Sequence, residues 1–201
     1  MTDSNHTDRP PGKRRRRTWL LRAALAVVLL GSSAALVPAC TSPIPNRVPV
    51  GETFPTVAGE GLDGVSWTLP ADLDGEPAVL LLGYVMKTQF DLDRWLLGLL
   101  QAEVPARILE LPTIKGLIPG LIAGTIDEGM RSGIPPEDWA VVVTVYGSDA
   151  KRLVELTGNE GPRNTRVVLV DGTGTIRWFH DRGYSAGKLL ELDAAVRALG
   201  E

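Results

Sequence analysis

The chain has 201 residues, of which 44% are hydrophobic, which is enough for one domain with a buried core and too apolar for a wholly disordered protein. From Cys40 onward, 22 acidic residues outnumber 14 basic ones, a net charge of −8. This balance excludes a nucleic-acid-binding domain, because phosphate contacts need clustered cations. We therefore expect no nucleic acid among the partners.

The first 39 residues have the organisation of an export signal. Lys13 and four consecutive arginines precede an apolar run over residues 23–30, which is shorter than the about 20 residues of a membrane span. Extension of the run through residue 38 reaches that length, so an uncleaved anchor is the alternative. We predict a signal peptide over residues 1–39.

Cys40 is the only cysteine, and it follows Val37, Pro38 and Ala39 where the apolar run ends. This stretch resembles a bacterial lipobox, which implies acylation of Cys40 and attachment to a membrane of the cell envelope, facing the periplasm or the outside. Thr41 resembles an outer-membrane sorting signal. A buried free cysteine is the alternative. The proline-rich residues 40–49 then form a tether.

Residues 50–201 are predicted to form one domain, which begins with short extended segments. A hairpin turn at residues 62–64 joins the halves of the segment 59–69, and the apolar run 77–85 after Asp74-Gly75 has the length of a buried central strand. Leucines and Trp95 at helical spacing predict a helix over residues 91–100, followed by a strand over 107–111.

The second half of the domain begins with a glycine-rich insertion, residues 112–136, in which residues 119–132 could form a helix. A buried strand over 140–146 and a short helix over 149–156, capped by Ser148, follow. The remaining predicted elements are strands at 166–170 and 175–179 around the turn DGTG, and a helix over 187–199. This order predicts an α/β fold in three layers, with a central mixed sheet flanked by helices.

The opening VGETFP, the stretch around the central strand and the closing NTRVVLVDGTGTIRWFH resemble thioredoxin-like lipoproteins over residues 50–199. A narrower set of motifs is similar to the mitochondrial ATP synthase assembly-factor family and its bacterial relatives. These motifs are MRSGIP at 130–135, the segment 168–178, and Gly183-Tyr184. The resemblance implies a chaperone or assembly role without thiol catalysis.

Residues 86–91 occupy the strand-to-helix junction at which thioredoxin-like proteins carry a reactive cysteine. This stretch, MKTQFD, contains no thiol, so we expect no thiol oxidoreductase activity. Asn164 or Thr165 stands near the position at which the fold normally has a cis-proline. A helix N-terminus beside a loop remains, and this geometry suits an anion or a peptide backbone.

Seven residues are candidates for binding at this junction. Lys87, Arg163 and Asn164 are expected at one end of the sheet, and Arg131 is expected to fold over that end as an anion clamp. Each has a simpler alternative. Lys87, Thr88 and Gln89 could be ordinary helix-start residues, and Arg131 could form a surface ion pair. Asn164 could cap the loop, and His180 could be a turn residue. The candidates are Lys87, Thr88, Gln89, Arg131, Arg163, Asn164 and His180.

The sequence therefore favours an exported, lipid-anchored, thiol-free binding or assembly module with a protein or peptide partner. One histidine and no thiolate in the domain predict no metal site, and we predict no cofactor. One alternative is an enzyme that acts on a small anionic substrate through Lys87, Arg131, Arg163 and His180, which would need a deep pocket. A structural lipoprotein is another. Binding predicts an open groove or apolar patch, which residues 114–126 could form.

Overall fold

The structure, a computed structural model, describes residues 43–116 and 120–200. The predicted signal peptide and Cys40 lie outside these residues. Within the described ranges the strands are β1 (Val57–Gly61), β2 (Ser66–Leu69), β3 (Ala78–Gly83), β4 (Arg107–Ile114), β5 (Val143–Tyr146), β6 (Arg166–Val170) and β7 (Ile176–His180). The α-helices are α1 (Gln89–Gln101), α2 (Gly120–Arg131), α3 (Gly147–Thr157) and α4 (Ala186–Arg197).

The strands form one mixed sheet with the order β2-β1-β5-β4-β3-β6-β7. β3 pairs in parallel with β4 and antiparallel with β6, so it lies inside the sheet. Its residues Ala78–Leu82 are fully buried, as a continuous apolar run predicts for a strand covered on both faces. The hairpin of β1 and β2 closes one edge, and β7 forms the other.

Helices cover both faces of the sheet and make three layers. On one face, α3 packs through Leu153 and Val154 against the even-numbered residues of β3. On the other face, α1 packs Trp95 and Leu99 against Val79 and Leu81, together with α4. The predicted α/β fold with a central mixed sheet between helices is confirmed.

Two predicted boundaries are wrong for local reasons. The strand predicted over 140–146 begins only at Val143, because Pro136–Val141 forms a short 3₁₀ helix. Helix α3 begins at Gly147 rather than 149, and no side chain caps its start, so Ser148 is not its cap. Gly147 has a φ of +61°, a conformation that glycine adopts readily and that lets β5 turn directly into the helix.

Within the described ranges, no helix is both long and apolar enough to cross a bilayer. The short 3₁₀ turn Met86–Thr88 connects β3 to α1 and places Lys87, Thr88 and Gln89 at the carboxyl end of the central strand.

Candidate binding site at the start of helix α1

Thr88 fixes the junction between β3 and α1. Its side chain is buried, and its Oγ1 donates a hydrogen bond of 2.9 Å to the carbonyl oxygen of Pro162. The same oxygen accepts the backbone N–H of Val85 at 3.3 Å. Thr88 thereby holds residues 159–165, which we call the β6 loop, against the first turn of α1.

Asp91 connects two loops to the same helix end. Its carboxylate accepts the backbone N–H of Thr165 at 2.9 Å and that of Tyr184 at 2.7 Å. A proline at 165 could not make the first bond, because proline has no N–H. Thr165, one of the two residues near the expected cis-proline position, therefore supplies a contact that fixes the β6 loop. The sequence marks Asp91 only as a favourable first-turn acid, and nothing in it reveals the two loop contacts.

Asn164 and His180 belong to the network that holds these loops. The side-chain amide of Asn164 donates to the carbonyl of Asp181 at 3.1 Å. His180 Nε2 lies 2.9 Å from the carbonyl oxygen of Gly183, which fits an Nε2–H donor, and its ring packs against Trp95 at a centroid distance of 5.7 Å. These contacts give His180 a structural environment without a nucleophile beside it.

Arg166 is a buried cation that sequence reasoning missed, because it reads only as the first residue of a strand. Its guanidinium donates to the carbonyl oxygens of Glu160 at 2.6 Å, Asn164 at 2.7 Å and Gly161 at 3.1 Å, and lies 4.9 Å from the centre of the Tyr84 ring. Burial lowers the pKa of Arg166 and raises that of Tyr84. The planar fork of donors stabilises the β6 loop from within.

Two of the predicted cations are exposed beside this network. Lys87 precedes Thr88 and Arg163 follows Pro162, so the bond between Thr88 and Pro162 places the two cations at the same end of the sheet. Gln89 is also exposed, and its side-chain amide donates to Asp93 at 2.7 Å. The predicted proximity of the α1 start and the β6 loop is therefore present in the structure.

Arg131 makes its contacts elsewhere. Its Nε donates to the carbonyl oxygen of Leu62 at 2.7 Å, and its guanidinium lies 5.9 Å from the ring centre of Trp139. Leu62 follows β1, and two strands separate β1 from β3 in the sheet. Glu128 is 3.9 Å away, a distant partner for a surface ion pair. These contacts differ from those expected of a clamp over Lys87.

Large apolar side chains are exposed around the start of α1. Met86 is 94% exposed and Val85 is 42% exposed. Further along the helix, Phe90 is 75%, Leu97 57% and Leu100 60% exposed. At 100° per residue, these last three project from one side of the helix, opposite the buried Trp95 and Leu99. We call residues 85–87 the α1 tip, and Phe90, Leu97 and Leu100 the outward face of α1.

The α1 tip lies at the strand-to-helix junction where the resemblance to thioredoxin-like proteins implies a reactive cysteine. Residues 43–200 contain no cysteine, so no thiolate can form at this helix end. Among the described residues, no group of three His, Cys, Asp or Glu side chains is arranged to hold a metal ion. This end of the sheet instead exposes apolar and cationic side chains, next to loops that are held by hydrogen bonds from Thr88, Asp91 and Arg166.

No protein-family model and no curated protein matches the sequence. Several solved structures are similar to this chain. A proposed protein disulfide isomerase from Bacteroides thetaiotaomicron has a TM-score of 0.52 at 16% identity, covering 80% of this chain and 96% of that one. A proposed electron transfer protein from Aquifex aeolicus also has a TM-score of 0.52, at 17% identity, covering 76% and 96%.

Copper-bound Sco1 from yeast has a TM-score of 0.51 at 14% identity, covering 76% of this chain and 95% of that one. The chain has the thioredoxin-like fold. At such identities the likeness concerns the fold alone, so the activity has to be argued from the residues of this chain.

Proposed function

We propose that this protein is an exported, lipid-anchored, thiol-free thioredoxin-like module that binds a protein partner at the bacterial cell envelope, in a chaperone-like or assembly role. One observation carries the proposal. The helix that would carry a reactive cysteine in this fold instead exposes Phe90, Leu97 and Leu100 on one outward face. An aligned set of exposed apolar side chains is typical of a protein interaction surface.

Burial of this face would supply useful binding energy. Each of the three side chains contributes about 1.5–2 kcal/mol when it is fully removed from water. Gln89 and Asp93 are hydrogen-bonded to each other beside Phe90, and Asp93 lies among the apolar side chains on the same side of the helix. Interfaces between proteins usually combine apolar area with hydrogen-bonding groups.

The geometry favours binding over catalysis. An enzyme for a small anion would need Lys87, Arg131, Arg163 and His180 around one reacting group. In the structure Arg131 is bonded to Leu62 beyond β1, and His180 is bonded to a backbone carbonyl. The side chains proposed for catalysis therefore do not surround a common centre.

Attachment to the membrane is supported by the sequence around Cys40. We expect metabolic labelling with a fatty-acid analogue to mark the wild-type protein and to spare the Cys40→Ser variant, because the thiol is the proposed acylation site. Equal labelling of both would exclude this attachment. The same preparation, assayed for insulin reduction and peroxide turnover, should show no protein-dependent activity, since an acylated chain has no free thiol.

Photo-crosslinking in cells tests the partner surface. A photoreactive amino acid at Leu97 should yield a discrete protein adduct in the envelope fraction. The matched control is the same amino acid at Lys151, which is exposed on α3 and lies on the other face of the sheet. Adducts of equal yield from both positions, or none from Leu97, would refute the proposed partner surface.

A further inference from the structure

The chain enters the domain beside the α1 tip. The backbone N–H of Ile44 donates to Asn159 Oδ1 at 2.6 Å, and the N–H of Asn159 donates back to the carbonyl of Ile44 at 2.9 Å. Asn159 is the first residue of the β6 loop, and three residues later Pro162 is bonded to Thr88 at the start of α1. The entry point and the α1 tip are thus held by one short loop.

The distance from this entry point to Cys40 is limited by the covalent chain. Four residue steps separate Cys40 from Ile44, and they can span at most about 14 Å. Acylation of Cys40 would therefore keep Ile44, which is bonded to the β6 loop, within about 14 Å of the acylated residue. This restricts which end of the sheet can approach the bilayer.

That end of the sheet has the side chains that a lipid surface favours. Met86 and Val85 project apolar groups into solvent. Three exposed cations belong to the same end of the sheet: Lys87, Arg163 and Arg182. Lys87 is part of the tip, Arg163 follows Pro162, which is bonded to Thr88, and Arg182 follows Asp181, whose carbonyl accepts from Asn164.

Two carboxylates at this end of the sheet have neutral partners. Glu160 accepts the backbone N–H of Asn46 at 3.1 Å, and Asp181 accepts the Asn46 side-chain amide at 2.8 Å. Within residues 43–116 and 120–200, Lys87, Arg163 and Arg182 form no ion pair with a carboxylate.

We propose that the α1 tip docks onto the phospholipid surface of the membrane that holds the acyl chain, with Met86 and Val85 in the interfacial layer and Lys87, Arg163 and Arg182 against anionic headgroups. The proposal rests on the lipid attachment proposed above. Each cation near an anionic surface strengthens the contact about fivefold at low salt. A short apolar tip with adjacent cations is the composition of an interfacial membrane contact.

Docking by the tip leaves the far end of the outward face of α1, at Leu97 and Leu100, accessible. Helix α1 has 13 residues and is about 20 Å long, so Leu97 and Leu100 lie well away from the tip along the helix. A domain held by its acyl chain and its tip would present this face in a fixed orientation to proteins in the same membrane.

The rate of methionine oxidation tests the orientation without a substitution in the tip. Met86 is almost fully exposed, so a water-soluble peroxide should oxidise it readily in the free protein. On vesicles of phosphatidylethanolamine and phosphatidylglycerol, we expect the oxidation rate of Met86 to fall about fivefold or more. Met130, half-buried on α2, is the internal control, and its rate should stay unchanged. Equal rates for Met86 on and off the vesicles would overturn the docking.

Reversal of the charges distinguishes docking of the α1 tip from attachment through the acyl chain. Lys87→Glu with Arg163→Glu should restore most of the Met86 oxidation rate while the protein still sediments with vesicles. Lys151→Glu, on an exposed part of α3, should leave Met86 protected from oxidation on the vesicles. Protection that survives the double reversal would refute the headgroup contacts.

The lipid attachment and the docking can fail separately. If Cys40 of the isolated chain carries no acyl group, its thiol can be coupled to a maleimide-bearing phospholipid, and the Met86 measurement repeated. Protection in the coupled protein would support the docking face although the natural attachment had failed. If Met86 is not protected in the coupled protein, the proposed docking of the α1 tip is refuted, however the chain is attached to the membrane.

Discussion

Two groups of side chains meet at the start of α1, and they are organised in opposite ways. Behind the helix end, the groups of Thr88, Asp91 and Asn164 are hydrogen-bonded to the backbone of neighbouring loops. On the outside, Met86 and Phe90 expose apolar surface to water. Within residues 86–91 alone, exposed Met86 and Phe90 are interspersed with the bonded Thr88 and Asp91. The bonded group holds the shape of this end of the sheet, while the exposed group is available for binding.

The largest effect is expected when the bonded group is broken at its centre. Asp91→Ala leaves the N–H groups of Thr165 and Tyr184 without their acceptor, so we expect the free energy of unfolding to fall by about 3 kcal/mol. Urea titration measures the change. Asp93→Ala is the control, because Asp93 is exposed and should change stability by no more than about 0.5 kcal/mol. Similar losses in both variants would show that Asp91 has no special role.

A buried carboxyl without such bonds provides a contrast to Asp91. Glu110 on β4 is 8% exposed, and burial, together with the charges of Asp93 and Asp138, raises its pKa from 4.5 to about 7. The folded state therefore holds a proton that the unfolded chain releases above pH 4.5. It follows that the free energy of unfolding of the wild type falls as the pH rises from 4.5 to about 7.

Glu110→Gln should remove this decrease in the free energy of unfolding with rising pH. We expect the variant to be more stable than the wild type by about 2 kcal/mol at pH 8, and to differ little from it at pH 4.5. Urea titrations at the two pH values measure both differences. A variant that is less stable than the wild type at pH 8 would mean that the charged carboxylate is stabilised by contacts the structure does not contain.

A smaller effect is expected at the edge of the bonded group. Thr88→Val keeps the shape of the side chain but removes the bond to Pro162, so the free energy of unfolding should fall by about 1 kcal/mol. Because this bond holds the β6 loop against α1, hydrogen exchange of the Asn164 amide should become faster. An unchanged exchange rate would show that Asp91 and Arg166 hold the loop without Thr88.

The sequence predicted the fold well because its strongest signals are local. The apolar run of β3, the helical spacing around Trp95 and the DGTG turn before β7 depend on neighbouring residues, and the structure contains each element. The start of β5 was missed because Trp139 and its neighbours form a 3₁₀ helix that begins at the second of two prolines, Pro136. Such a turn interrupts an apolar run without changing its composition.

The site was predicted only in part, because side-chain contacts between distant segments leave no periodic pattern. The junction at Lys87 and its proximity to Arg163 follow from the order of elements, which a sequence can show. The contacts of Asp91 with residues 165 and 184, the burial of Arg166, and the bond from Arg131 to Leu62 depend on loop paths that composition does not reveal.

The smallest effect on stability, and the most direct test of the account, concerns the outward face of α1. In Phe90→Ser with Leu97→Ser, both substituted side chains are exposed, so the unfolding midpoint should stay within the error of the wild type. With the photoreactive amino acid at Leu100, we expect a discrete envelope adduct in the otherwise wild-type protein and its loss in the double variant. An adduct of undiminished yield in the double variant, or one lost only together with stability, would contradict the proposed partner surface.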